Sequence, residues 1–252
     1  MTKPYLLSAT NWKTIQDTNY QLAILPWGAT EAHNYHLPYG TDNYQVTHIA
    51  ERAAAKAWEY HAPVLLLPLM PFGVQSGQLD IPFCMHLNPS TQFAILNDTV
   101  DVLKRHSIHK LVILNGHGGN NFKTMIRELS VIHPEVFVCS VDWFKIGDQA
   151  QFFEEKGDHA DEMETSAMLH IRPDLVRPLS EAGDGTTKQY RIKGFRAGWA
   201  SAQRPWTTIS QDTGTGNPKK ATAAKGEAYL QLVVDELSDF FVELAKEKPL
   251  FE

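Results

Sequence analysis

Short continuous apolar runs alternate with longer amphipathic stretches along most of this chain. A sheet of parallel strands covered by helices is the arrangement that accommodates such an order. The spacing predicts strands over residues 21–27, 63–69, 110–115 and 135–142. It predicts helices over residues 42–58, 89–106, 120–133, 161–169 and 219–246. Between residues 99 and 114 the helical spacing gives way to the unbroken run Leu111, Val112, Ile113, Leu114. The last helix carries Leu230, Val233, Val234, Leu237, Phe240, Phe241 and Leu244 on one broad face, which is ordinary core packing. The expected fold class is α/β, a three-layer α/β/α sandwich with a mostly parallel central sheet. Residues 70–88 and 179–218 fit neither helix nor strand, and loops this long are usually functional or lie at subunit interfaces. With no internal repeat and no low-complexity linker, residues 1–252 read as a single domain.

Composition removes several function classes. Lys and Arg number 23 against 29 Asp and Glu, a net charge of −6, which disfavours nucleic-acid or anionic-membrane partners. The strongest apolar run, residues 64–70, is far too short to cross a bilayer. The opening MTKPYLLSATNWKTI lacks a basic segment followed by a sustained apolar one, so export is not expected. Cys84 and Cys139 lie far apart in apolar surroundings and form neither a metal knuckle nor a disulfide framework. Two reduced, buried thiols and a cytoplasmic location follow.

Three motifs carry chemistry. The first, PWGATEAHNYHLPYGTD (residues 26–42), directly follows the first strand. Glu31 and His33 are two apart, so in extended chain they point to the same side, and a Pro/Gly-bearing turn can fold Asp42 back beside them. Two carboxylates and an imidazole make a mixed donor set suited to Zn, Mn or Fe. His36 is a further candidate for a supporting or substrate-facing role. In the second motif, VILNGHGGNN (residues 112–121), a buried strand ends at Asn115 and glycines surround His117. Open parallel sheets place their sites at such strand ends. With a helix expected to start near Asn120, the backbone N–H groups of Gly118 and Gly119 could steady a developing oxyanion. The third motif is GDHADEMETSAML (residues 157–169). On a helix its Glu162 and Glu164 sit about 200° apart, so only one of them can face a common site.

Each motif alone has a plain structural explanation: a solvated Glu-x-His, a tight glycine turn, a wet helix start. Together they supply five or six metal-type donors, two of the segments ending predicted strands, and that convergence favours a site.

At these residues the chain resembles the creatininase family of amidohydrolases. The resemblance rests on LPWGATEAHNYHLPYGTD, ILNGHGGN and HADEMETSAML, with a looser block, GNPKKATAAKGEAYL, near the C-terminus. It implies a three-layer α/β/α fold, a centre of two divalent ions and a homohexamer. Glu31, Asp42 and His117 would bind one ion, His33 and Asp42 the other, with Asp42 bridging. Two ions roughly 3.5–4 Å apart can share a hydroxide and polarise a carbonyl. His159 matches the histidine that assists the reaction, in proton transfer or substrate orientation.

There are departures. Creatinine-hydrolysing members carry a glutamate ligand where this chain has Gly119; many relatives with the Gly-Gly form keep the glutamate matched by Glu164. The resemblance therefore implies Glu164 as fifth ligand, with Glu162 the alternative. The tryptophan expected shortly before His159 is missing, with Glu155 near its place, and Trp143 reads as packed, the alternative being the neighbourhood of the family's other tryptophan. The usual Pro-Gly-Thr stretch is Pro82-Phe83-Cys84. The expected activity is metal-dependent hydrolysis of a non-peptide C–N bond in a small cyclic amide or formamide. The alternatives are a peptidase that matures a modified peptide, or a non-catalytic metal-binding subunit.

Overall fold

The computed structural model describes residues 3–247 and 249–250. Four strands, β1 (Leu22–Trp27), β2 (Val64–Leu66), β3 (Lys110–Asn115) and β4 (Phe137–Asp142), form one sheet in the order β2-β1-β3-β4. Every pairing is parallel. All six residues of β1 and of β3 are buried, as strands covered on both faces must be. Their alternation separates two cores. Leu22, Ile24, Val112 and Leu114 pack with helices α2 (Thr41–Glu59), α5 (Glu162–Ile171) and α8 (Ala223–Lys246). Ala23, Leu25, Trp27, Leu111 and Ile113 pack with α3 (Pro89–Arg105) and α4 (Lys123–Ile132). The result is the expected three-layer α/β/α sandwich. Three short helices complete it: α1 (Trp12–Gln16), α6 (Lys193–Arg196) and α7 (Trp206–Ile209). No helix among the described residues is long and apolar enough to cross a membrane.

The departures from the expected bounds have local causes. β2 is shorter than residues 63–69: Leu67 N still donates to Ile24 O at 2.8 Å, but Pro26 on β1 has no N–H to return, and the contact resumes only where Met70 N donates to Pro26 O at 3.0 Å. α4 begins at Lys123, not near Asn120, because Asn120 is drawn elsewhere. Its Oδ1 accepts from Val74 N at 3.0 Å and Gln92 Nε2 at 2.8 Å, and its Nδ2 donates to Asn115 Oδ1 at 3.0 Å. The helix N-terminus therefore does not stand directly behind Gly118 and Gly119. α8 starts at Ala223, not Lys219, where Thr222 caps it by accepting from Lys225 N at 3.2 Å.

Three features aim the working residues at the carboxyl ends of β1 and β3. Asp42 lies in the first turn of α2, where the helix dipole favours a carboxylate. α5 is drawn close to α8 at Gly226, where a Cβ would stand 2.0 Å from Ser166 O. Both long loops fold over the strand ends: Met85 N donates to Thr30 O at 2.9 Å, and Trp206 N donates to Gly77 O at 3.1 Å.

Candidate metal centre

Glu31, His33, Asp42, His117 and Glu164 converge in one buried cluster from four segments of the chain. Asp42 is at its middle. Its Oδ1 lies 3.0 Å from His33 Nε2, and its Oδ2 lies 3.1 Å from His117 Nδ1. Glu31 Oε1 stands on the His117 side, 3.0 Å from Nδ1, while Glu164 Oε2 stands 3.9 Å from His33 Nε2. Two overlapping donor groups result, Glu31-Asp42-His117 and His33-Asp42-Glu164.

The hydrogen bonds on the far side of the rings show what this cluster suits. His33 Nδ1 faces Glu31 O at 3.1 Å, and His117 Nε2 faces Val74 O at 3.1 Å. A carbonyl oxygen only accepts, so both of these nitrogens carry their N–H. The other nitrogen of each ring is thereby aimed at carboxylate oxygens. A bare lone pair there would be repelled, so a proton or a cation has to occupy the space between. Among the described residues, Glu31 Oε1 and Asp42 Oδ2 are also buried with no hydrogen bond of their own. Three carboxylates and two imidazoles in one largely buried site are the donor set and the charge that a pair of divalent ions fits.

In the metal-free chain protons do the balancing. Burial opposes ionisation of Glu31 and Asp42, but His117 and His159 beside the first, and His33 and His117 beside the second, hold both carboxyls below their ordinary range. Burial also opposes charge on His33, yet Asp42, then Glu164 and Glu31, push it up to about 10. Glu164 is pushed up to about 8 by burial and by Asp42 and Asp161, against the pull of His33. A group whose pKa rises on folding stabilises the fold below its unfolded pKa and loses that contribution as pH rises through the folded one. The metal-free protein should therefore melt at lower temperature at pH 9 than at pH 6. Ion binding needs the same protons gone, so the rise in Tm caused by manganese should grow over that interval. Melting curves with and without the ion check both signs; a manganese effect that shrinks towards pH 9 would contradict them.

Of the two glutamates left open by the sequence, Glu164 is the one in the cluster. Glu162 is turned away: its carboxylate accepts from Lys225 Nζ at 2.5 Å and from the backbone N–H groups of Glu154 and Glu155 at 2.9 and 2.7 Å. Asp161 caps α5 by accepting from Glu164 N at 3.0 Å, which fixes the turn that carries Glu164 inward. His36 does not face the cavity: it is buried and meets Thr165 Oγ1 at 2.8 Å, tying its loop to α5. His159 is at the edge of the cluster. Its Nε2 donates to Ala32 O at 2.8 Å, and its Nδ1 lies 3.7 Å from Glu31 Oε1. Its backbone is held on both sides by Thr215. Burial, with His33 close by, lowers its pKa, so the ring is neutral at pH 7.

A cavity of about 390 Å³ borders the cluster, lined by Gly118, Asn120, Asp158, Glu164 and Arg204 among others. Gly118 faces it openly, with nothing within 4 Å of where a Cβ would stand. Gly119 is closed in: a Cβ there would meet Val74 O at 2.3 Å and His117 Nε2 at 2.4 Å.

The sequence model of the creatininase family, described as creatinine amidohydrolase, matches residues 8–241. The chain belongs to the creatininase family. A solved structure described as a candidate creatinine amidohydrolase from Bacteroides fragilis is 42% identical, covers 100% of both chains and superposes with a TM-score of 0.93. Creatinine amidohydrolase of Pseudomonas putida is 26% identical over 95% of this chain and 96% of its own. The mycofactocin precursor peptide peptidase of Mycobacterium tuberculosis is 26% identical over 84% of this chain and 81% of its own.

This creatininase-family chain has no room for a glutamate at position 119, and Glu164 reaches the cluster from α5 instead. No aromatic stands shortly before His159, but one packs against its ring from another segment. Trp206, in the 179–218 loop, places its ring 4.7 Å from the His159 ring. Glu155 is paired with Lys220 at 2.9 Å. Trp143 is packed in the core beside Tyr229. Both cysteines are free, as expected, but half-buried rather than fully buried. The 179–218 segment, whose aromatics the sequence offers either to an interface or to an active-site cover, brings Trp206 to the site; sequence reasoning missed Gln78 and Arg204.

Proposed function

We propose that this chain is a metal-dependent amidohydrolase that cleaves a non-peptide C–N bond in a small cyclic amide or formamide, residues 1–252 acting as one such unit. Glu31, His33, Asp42, His117 and Glu164 would hold two divalent ions, zinc or manganese, with iron the next choice and Asp42 shared. The observation that carries this reading is Asp42, whose two oxygens face two different imidazoles in a site short of positive charge. The bound ions would supply Lewis acidity at the scissile carbonyl and make water acidic enough to attack near neutral pH.

The chain's own residues do the rest. The neutral His159 ring has Nδ1 free to take the proton of the attacking water and to return it to the leaving nitrogen as the C–N bond breaks. Gly118 lines the cavity, and its backbone N–H, with that of Gly119 next to it, would stabilise the developing oxyanion. A cavity of about 390 Å³ suits a small substrate. A screen of cyclic amides and formamides against protein loaded with manganese or with zinc tests the reading; loaded protein that turns over none of them would overturn it.

Creatinine itself should be a poor substrate, on the order of 100-fold slower than the best amide found, since each lost pocket contact costs discrimination of that size. No side chain stands at Gly119, Glu155 is engaged by Lys220, and the aromatic against His159 is Trp206, which arrives from the 179–218 loop and so shapes a different pocket wall. Comparable rates on creatinine and on that best amide would show that these positions do not set specificity. The peptidase reading is supported by the mycobacterial relative, which is as similar as the P. putida enzyme. Cleavage of peptides with no turnover of amides would favour it.

The assembly proposed is a homohexamer. Trp199 and Ile192 stand 77% and 64% exposed on the 179–218 loop, and Tyr190 stacks on Phe195 at 4.7 Å. Exposed aromatics beside arginines are enriched in interface cores. Light scattering at micromolar concentration should give six times the mass of one chain; a fully active monomer would remove the proposal.

A further inference from the structure

Beneath the cluster runs a chain of hydrogen bonds that the chemistry above leaves unused. Gln78, in the 70–88 loop, is 1% exposed, and its Nε2 donates to Glu31 Oε2 at 2.5 Å. A carboxylate can only accept, so the amide cannot be flipped, and Gln78 Oε1 is left facing Cys84 Sγ at 3.2 Å. That oxygen also only accepts, so Cys84 serves it as an S–H donor. The same sulfur accepts from Ala32 N at 3.4 Å, and the Ala32 carbonyl accepts from His159 Nε2 at 2.8 Å. The path closes across the site, where His159 Nδ1 lies 3.7 Å from Glu31 Oε1. The directions are fixed by the Glu31 carboxylate and the Ala32 carbonyl, which only accept, and by Ala32 N–H, which only donates.

We propose that Gln78 is the positioning residue for Glu31, that the Cys84 thiol anchors Gln78, and that this one path holds Glu31 and His159 in register. Gln78 occupies Oε2, so Oε1 alone is offered to the cluster, and Oε1 is the oxygen left without a hydrogen bond. Glu31 is thereby kept to single-oxygen binding and cannot rotate to chelate. The thiol is presented with care: the preceding Phe83 sits at φ 61°, a conformation that non-glycine residues adopt only when the surrounding turn requires it. Part of the proposal rests on the reading of Glu31 as a metal ligand.

The test uses the full chain with Gln78→Met, Cys84→Ala, Cys84→Ser and the double variant Gln78→Met/Cys84→Ala. Manganese affinity is measured by competition with a chromophoric chelator, and urea midpoints are measured on the metal-free proteins. Gln78→Met should stay folded and bind manganese 10- to 100-fold more weakly, the usual scale for the loss of a partner behind a ligand. Cys84→Ala should weaken binding in the same direction, and Cys84→Ser, which keeps the donor, should restore it to within about threefold. The double variant should be no weaker than Gln78→Met, because Cys84 acts through Gln78. Wild-type affinity in Gln78→Met, additive losses, or a serine variant as weak as the alanine one would each overturn the proposal. Should the wild type bind no manganese, the metal reading fails by itself. The midpoints then decide the hydrogen-bonded path: non-additive shifts uphold it and additive shifts overturn it.

Discussion

With two ions held as proposed, Asp42→Ala is expected to lose both of them and to lower turnover by on the order of 10³-fold or more. The estimate starts from the 10- to 100-fold cost of losing a group that merely supports a ligand. Asp42 does more than support one. Its Oδ1 and Oδ2 lie 3.0 and 3.1 Å from nitrogens of two different histidines, whereas Glu31 Oε1 is 3.0 Å from His117 but 4.0 Å from His33, and Glu164 groups with His33 and not with His117. Removing it takes an oxygen from both donor groups at once and leaves two carboxylates to balance two dications. Asp42→Asn keeps the shape and loses the charge, so it should lose metal too. Elemental analysis of folded variants, with turnover in excess manganese, gives the answer. Two ions retained per chain in Asp42→Ala would remove the shared role.

Much of this arrangement is legible in the sequence. Continuous apolar runs flanked by amphipathic stretches mark all four strands; β1 and β3, buried on both faces, have no polar side to show, while the edge strand β4 is only partly covered. Glu31, His33, Asp42 and His117 stood out because parallel sheets collect their sites at strand ends, and two of the motifs follow β1 and β3 directly. The choice between Glu162 and Glu164 could not be made from spacing. Helical geometry separates the two without saying which faces inward; the Lys225 partner, on a helix about sixty residues later, settles where Glu162 points.

What stayed hidden lies on the two long loops. Gln78, Arg204 and Trp206 carry no periodic signal, and each matters only through contacts distant in sequence. Trp206 reaches His159 because its backbone N–H meets Gly77 O at 3.1 Å, loop against loop. Arg204 is then carried over the Trp206 ring at 5.0 Å and paired with Asp158 at 2.9 Å. The composition of those loops, rich in Gly, Gln and aromatics, marked them as places where function could lie. Their residues could be assigned only after the fold had brought the loops together.

His159→Ala is expected to keep both ions and to lose about 10²- to 10⁴-fold in turnover, the range that a positioned acid–base group contributes. The structure makes this test sharper than the sequence did, because a third donor group, Glu31-His33-His159, also lies within reach of a single ion. Geometry separates the two roles. His117 Nδ1 meets Glu31 Oε1 at 3.0 Å, while His159 Nδ1 stands back at 3.7 Å from the same oxygen. The ring lies against Trp206 and against His33, whose centroid is 4.2 Å away, so it cannot swing deeper into the cluster. Burial keeps it neutral at pH 7, the state that accepts a proton first. Metal analysis decides between the roles independently of any substrate. A folded His159→Ala protein that has lost an ion would make His159 a ligand, and proton transfer would then need another residue.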